Sequence, residues 1–140
     1  MNSIVVGLDG SEKSFRALEM ALTIAKRFGA SLITLTIEET PRFGETIDEI
    51  QAQKDDEDVH SRDIVRKAHE ASKNAGVAIK SHVLVGHPVK TIAKYLAESK
   101  ADLLVVGSIE HGPLYEAITN STCLGLLRST SCPVLVVMAS

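Results

Sequence analysis

Three short runs of branched apolar residues, each bounded by a turn signal, constrain this chain more than anything else in it. Ile4-Val5-Val6 ends at Gly7-Leu8-Asp9-Gly10, Leu103-Leu104-Val105-Val106 ends at Gly107, and Val134-Leu135-Val136-Val137 follows Pro133. Uninterrupted apolar runs of this length suit strands buried on both faces, as in a parallel sheet. Two further segments read as less continuous strands. Leu32 to Ile37 alternates in part, and Ala78 to Val85 keeps a polar side that places it near a sheet edge. Between the strands lie helical patterns. From Ser11 to Phe28, Phe15, Leu18, Ala21, Leu22 and Ala25 recur at spacings of three and four, which puts them on one face. Ser11 suits the N-cap of this helix and Gly29 its C-terminal stop. A second helix is predicted from about His60 to Asn74, with Ile64, Val65, Ala68 and Ala71 inward, stopping at Gly76. A third is predicted from about Val89 to Ser99, with Ile92, Ala93, Leu96 and Ala97 inward, and a fourth from about Ile118 to Arg128. Strands alternating with helices imply right-handed parallel crossovers and an α/β fold.

The 140 residues fit a single domain, 1–140, large enough for one core without disulfides or metal. Residues 38–59 stand apart. They hold Pro41, Gly44 and the acidic run Asp55-Asp56-Glu57-Asp58, and read as a charged loop or lid insert. The competing expectation is that the second helix begins earlier, near Thr46.

Several function classes are excluded. The formal net charge of −3 lacks the basic footprint of a nucleic-acid binder. No apolar run reaches the ~18–20 residues of a membrane span, and the N-terminus has no signal-peptide pattern. Cys123 and Cys132 match no zinc spacing and read as reduced thiols of a cytoplasmic protein. The five histidines, His60, His69, His82, His87 and His111, show no metal-like spacing; His60 and His69 are expected on a solvated helix face. His87 and His111 are placed near the strand ends, within reach of a ligand there. There is no P-loop and no nucleophile elbow, so no catalytic residue and no metal site is assigned.

What chemistry the residues offer sits at strand ends. In open α/β sheets ligands bind beyond the carboxyl ends of the strands, where strand order reverses. Asp9 lies at such an end, where its carboxylate would either take hydrogen bonds from an amino group or sugar hydroxyl, or cap the first helix. Gly107 and Ser108 follow the fourth strand, where a glycine allows close approach to the backbone. Thr119-Asn120-Ser121-Thr122 opens the fourth helix, where exposed amides attract phosphate or are simply capped.

Taken together, Val6-Gly7-Leu8-Asp9-Gly10-Ser11, Gly86-His87-Pro88 with Ile92-Ala93, Ala101-Asp102 through Gly107-Ser108, and Cys132-Pro133 through Val137 resemble the universal stress protein family, in order and in spacing. The resemblance covers nearly the whole chain outside residues 38–59. It implies a three-layer open sheet of five mainly parallel strands with helices on both faces, order 3-2-1-4-5, of the adenine nucleotide alpha hydrolase-like type. It also implies a stress-response protein that is a homodimer through the C-terminal strand, Val134-Met138. The competing expectation there is a covered, monomeric edge. The nucleotide-binding members carry a Gly-x2-Gly-x9-Gly-(Ser/Thr) pattern. Laid on this sequence it starts at Gly107 and ends at Ser121, with Thr122 beyond it. Glu110 and Asn120 replace the second and third glycines. The resemblance gives Asp9 to adenine or ribose, with Gly7 beside it and Ile37 and Val106 walling the base.

The departures have physical consequences. Glycines let backbone amides reach phosphate with no side chain in the way. Glu110 adds a negative charge there, and each like-charge contact at 4–6 Å costs about 3–4 kcal/mol before screening. Asn120 is milder, since asparagine tolerates left-handed backbone, and Gly112 offers a pivot that would swing Glu110 outward. The expectation is a non-catalytic regulatory protein with an altered phosphate-binding half, holding ATP or AMP weakly if at all and acting on a protein partner the sequence does not name. The alternatives are a genuine ATP- or AMP-binding switch with slow hydrolysis, and an enzyme using the same crevice on another small molecule.

Overall fold

The computed structural model describes residues 1–39, 46–107, 125 and 128–138. Its elements run β1 (Ser3–Gly7), α1 (Glu12–Phe28), β2 (Ser31–Glu38), α2 (Ile47–Ala75), β3 (Ile79–Val85), α3 (Pro88–Ser99), β4 (Leu103–Gly107) and β5 (Val134–Val137). The strands form one sheet in the order β3-β2-β1-β4-β5. Every pairing is parallel, with Ile4 of β1 opposite Leu32 of β2 and Leu103 of β4. The open α/β sheet expected from the apolar runs is therefore the fold.

The central position of β1 explains its composition. Ile4, Val5 and Val6 are fully buried because helices cover both faces of the sheet. One core cluster joins Ile4, Val6, Leu32, Leu103 and Val105 to Leu18, Ala21 and Leu22 of α1 and Ile64 and Ala68 of α2. The other joins Val5, Leu35, Leu104 and Val106 to Ile92 and Leu96 of α3. α1 is capped as its ends predict: the Ser11 side chain accepts from the Ser14 amide, and Gly29 takes the left-handed conformation at φ 65°. At the start of β1, the Asn2 and Ser3 amides donate to the Asp102 carboxylate; these bonds tie β1 to β4 and hold that carboxyl below its usual range. β3, the strand with the polar side, is the edge strand at one end of the sheet, and β5 is at the other.

One expectation is corrected. Residues 47–59 are not a loop or lid insert; they are the first half of α2, which is 29 residues long and starts well before His60. Its start is a capping box: the Thr46 hydroxyl accepts from the Glu49 amide, and the Glu49 carboxylate accepts from the Thr46 amide. The earlier start near Thr46 is the correct alternative. Residues 40–45, with Pro41 and Gly44, and most of the fourth predicted helix lie outside the described residues.

Candidate functional site

The strand order reverses at β1, whose chain leaves toward β2 on one side while β4 lies on the other. The crevice of such a sheet opens beyond the carboxyl ends of these two strands. Gly7 and Gly107 end β1 and β4 there. Val106 and Ile37 face the α3 side of the sheet and belong to its core cluster, Val106 buried and Ile37 half-buried. A Cβ placed on Gly7 would lie 3.5 Å from Val106 Cγ1, so the two strand ends are in contact.

Asp9 follows directly. Leu8 still bonds through its amide to the Leu35 carbonyl at 2.8 Å, which extends the β1–β2 ladder by one residue. The chain then turns. Asp9 is exposed, and its Oδ1 accepts the Ser11 amide at 2.8 Å. Gly10 sits at φ 90°, a conformation that favours glycine. Asp9 thus shapes the entry to α1, while the helix cap itself is Ser11. A carboxylate has about four acceptor positions, and this bond occupies one, so the turn role and a ligand role are compatible.

Gly107 has a packing reason beside the one its position suggested. A Cβ there would meet the Lys13 carbonyl oxygen at 2.7 Å, so the glycine lets α1 pack against the end of β4. The remaining residues of the expected phosphate half, Ser108, Glu110, Gly112, Asn120, Ser121 and Thr122, lie outside the described residues, as do His111 and Cys123.

Two features of this end of the sheet escaped the sequence reading because both depend on the long α2. His60 is exposed, as expected, yet its Nε2 lies 3.2 Å from the Asp9 carbonyl oxygen. Glu38, at the end of β2, is buried beneath α2. Its Oε1 accepts Lys54 Nζ at 3.2 Å and its Oε2 accepts the Ser61 hydroxyl at 3.2 Å. The signal that could have found them is the Thr46-x-x-Glu49 capping box, which starts a helix whose rise carries His60 about 20 Å along its axis.

His69, His82 and the described cysteine lie elsewhere, while His87 stands just beyond the carboxyl end of β3, near the strand ends as expected. His69 Nε2 is 3.3 Å from the Ser81 hydroxyl, and the His82 ring lies 5.7 Å from that of Tyr95. His87 is the N-cap position of α3. Cys132 donates to the Ala101 carbonyl and lines a cavity of about 540 Å³ at the amino ends of β4 and β5, opposite the switch point. Burial pushes its thiol above the usual range, away from reactivity. Among the described residues there is no cluster of metal-ligating side chains, and no helix is long and apolar enough to cross a membrane.

A family model described as the universal stress protein family matches residues 1–138. A universal stress protein of Mycobacterium tuberculosis is 30% identical, with 96% of this chain and 94% of that one covered. Another from Methanocaldococcus jannaschii is 29% identical, covering 96% of this chain and 80% of that one. Among solved structures, a universal stress protein in complex with cAMP matches at 29% identity and TM-score 0.79, covering 99% of this chain and 98% of that one. The universal stress protein UspA from Lactobacillus plantarum, at 23% identity, has the same fold at TM-score 0.83, with 97% of each chain covered. On the sequence motifs, the strand order and these matches, the chain belongs to the universal stress protein family.

Proposed function

We propose that this chain is a non-catalytic regulatory protein of the cytoplasmic stress response that holds an adenine nucleotide weakly at the β1–β4 crevice. The observation that carries this reading is Asp9: an exposed carboxylate at the switch point, two residues after Gly7, that takes one backbone hydrogen bond among the described residues. The adenosine half would be Asp9, Gly7, Ile37 and Val106. Ser108, Gly112, Ser121 and Thr122 would supply the phosphate half, altered by Glu110 and Asn120.

An altered phosphate half has a consequence for the choice of ligand. The repulsion from one carboxylate grows with the charge of the phosphate group. A nucleotide with a single phosphate therefore suits these residues better than ATP. The 29% identical neighbour solved with cAMP is a precedent of that kind in another protein. Calorimetric titration with ATP, AMP and cAMP tests the reading. The expected result is ATP binding weaker than about 10 µM, monophosphates binding at least as well as ATP, and a gain of tenfold or more for ATP in Glu110→Gly. ATP binding tighter than that, with no gain in Glu110→Gly, would establish the ATP-binding switch instead. The same reading makes the chain a homodimer through the β5 edge, an edge strand of the kind that pairs with a copy of itself. Sedimentation at micromolar concentration giving the monomer mass would remove that part.

A further inference from the structure

The front of α2 touches the turn after β1 through one side chain. His60 Nε2 stands 3.2 Å from the Asp9 carbonyl oxygen. The edge of the same ring lies over Gly10, where a Cβ would come within 2.8 Å of Cε1 and 2.9 Å of Nε2. A carbonyl oxygen only accepts, so Nε2 carries the proton in this contact. The ring is held in place by its neighbours on the helix. Ser61 bonds to the buried Glu38 carboxylate at 3.2 Å, and Ile64 is buried with its Cδ1 3.2 Å from the same point above Gly10.

We infer that His60 is a positioning residue for the nucleotide site. It holds the Asp9 carbonyl while the Ser11 amide holds the Asp9 carboxylate, and the two bonds together fix the plane of the turn. The inference rests on the reading of Asp9 as the adenosine contact. Its physical basis is that Gly10 gives this turn freedom to leave the binding geometry. A ligand that binds only the competent turn loses affinity in proportion to the fraction of molecules that hold it. His60 raises that fraction without touching the ligand.

The test uses the full chain and four proteins: wild type, His60→Ala, His60→Phe and His60→Gln. Phenylalanine keeps a ring without a donor; glutamine keeps a donor without a ring. Each is first shown to be folded by denaturant unfolding. NMR titration with AMP then reads affinity, and the side-chain nitrogen spectrum of His60 reads its tautomer. The expected result is the Nε2–H tautomer at neutral pH, AMP affinity lowered about two- to fivefold in the Ala and Phe variants, and recovery in Gln. Equal affinity in all four proteins, with wild type binding AMP, overturns the inference and leaves the proposed function standing. A wild type that binds neither AMP nor cAMP overturns the proposed function and the affinity effect with it. The clamp on the turn is then decided without ligand. Faster hydrogen exchange at the Gly10 and Ser11 amides in His60→Ala than in wild type supports it, and equal exchange or an Nδ1–H tautomer rejects it.

Discussion

The two halves of α2 are held by different means. In the rear half, residues 61–75, Ser61, Ile64, Ala68 and Ser72 are buried, and Ile64 and Ala68 join the main core cluster. In the front half, residues 47–60, no side chain is fully buried. It is held by the capping box at Thr46, by pairs along its own surface such as Gln51–Asp55 and Lys54–Asp58, and by two polar ties to the sheet, Lys54 to Glu38 and His60 to Asp9. Exposed ion pairs contribute little to stability, whereas burial of an aliphatic side chain contributes a great deal. One continuous helix therefore combines a segment that belongs to the core with a segment attached to it by polar contacts. The attached segment is the one that reaches the strand ends where the candidate site lies.

The strongest way to test that division is to damage the rear half and the front half separately. Ile64→Ala removes a side chain only 1% exposed from the core cluster. The expected loss is about 2–5 kcal/mol of global stability, read by denaturant unfolding. A loss below 1 kcal/mol would mean that the rear half is not part of the core in the sense argued. Glu38→Ala acts on the front half. It leaves the Ser61 hydroxyl without its acceptor and the half-exposed Lys54 with Asp58 alone, at an expected cost of about 1–3 kcal/mol. Its signature is regional: amide exchange should quicken in residues 47–60 more than in residues 61–75. Uniform quickening would break the comparison.

Gly10→Ala probes where the front half meets the candidate site. The left-handed φ of 90° alone costs a non-glycine residue about 1–2 kcal/mol, and the new Cβ must also displace the His60 ring. In a His60→Ala background the steric part disappears and only the backbone part remains. Additive losses in the double variant would show that ring and turn are uncoupled. Thr46→Ala should be milder, about 1 kcal/mol, and should fray the front half from its start. Unchanged exchange at residues 47–53 would mean that the capping box is not what begins the helix.

The same division explains how much of the molecule was legible in the sequence. The β1 and β4 runs were readable because strands buried on both faces leave no polar position to confuse the pattern; β5 has the same uninterrupted run, yet it is an edge strand and only half-buried. The rear half of α2 was readable because Ile64, Ala68 and Ala71 repeat at helical spacing. The front half carries no apolar stripe, and its acidic run resembles solvated loop. Its helicity comes from capping and from pairs three or four residues apart, signals that periodicity does not detect. The site divided in the same way. Asp9 was legible as a residue of the turn into α1, because a polar residue directly after a buried strand stands out. His60 and Glu38 matter only through contacts of 3.2 Å made across separations of 51 and 16 to 23 residues, which no local pattern encodes. Gly107 was located correctly at a strand end, but the backbone of Lys13 that requires a glycine there is supplied by a distant part of the chain.

The smallest expected effect is also the most selective. Hydrogen bonding from Lys54 holds the Asp58 carboxyl below the usual aspartate range, and bonds to Asp58 and then Glu38 hold the Lys54 ammonium above the usual lysine range. A lowered carboxyl contributes stability that is present above its unfolded value, near pH 4, and is lost as pH falls through the folded value. A raised ammonium contributes stability that is complete below about pH 10 and is lost as pH rises through the folded value. The tie on the front half is therefore full between those limits and weakens on both sides. Both groups are exposed enough for salt to screen them, so the change is modest and should shrink at about 0.5 M salt. Amide exchange compared at about pH 6 and about pH 3, each normalised to the intrinsic rate, should show residues 47–60 losing protection before residues 61–75, more clearly at low salt. Loss of protection in step along the whole helix would mean that the front half depends on the core as the rear half does, and that the polar ties at Lys54 do not set its stability.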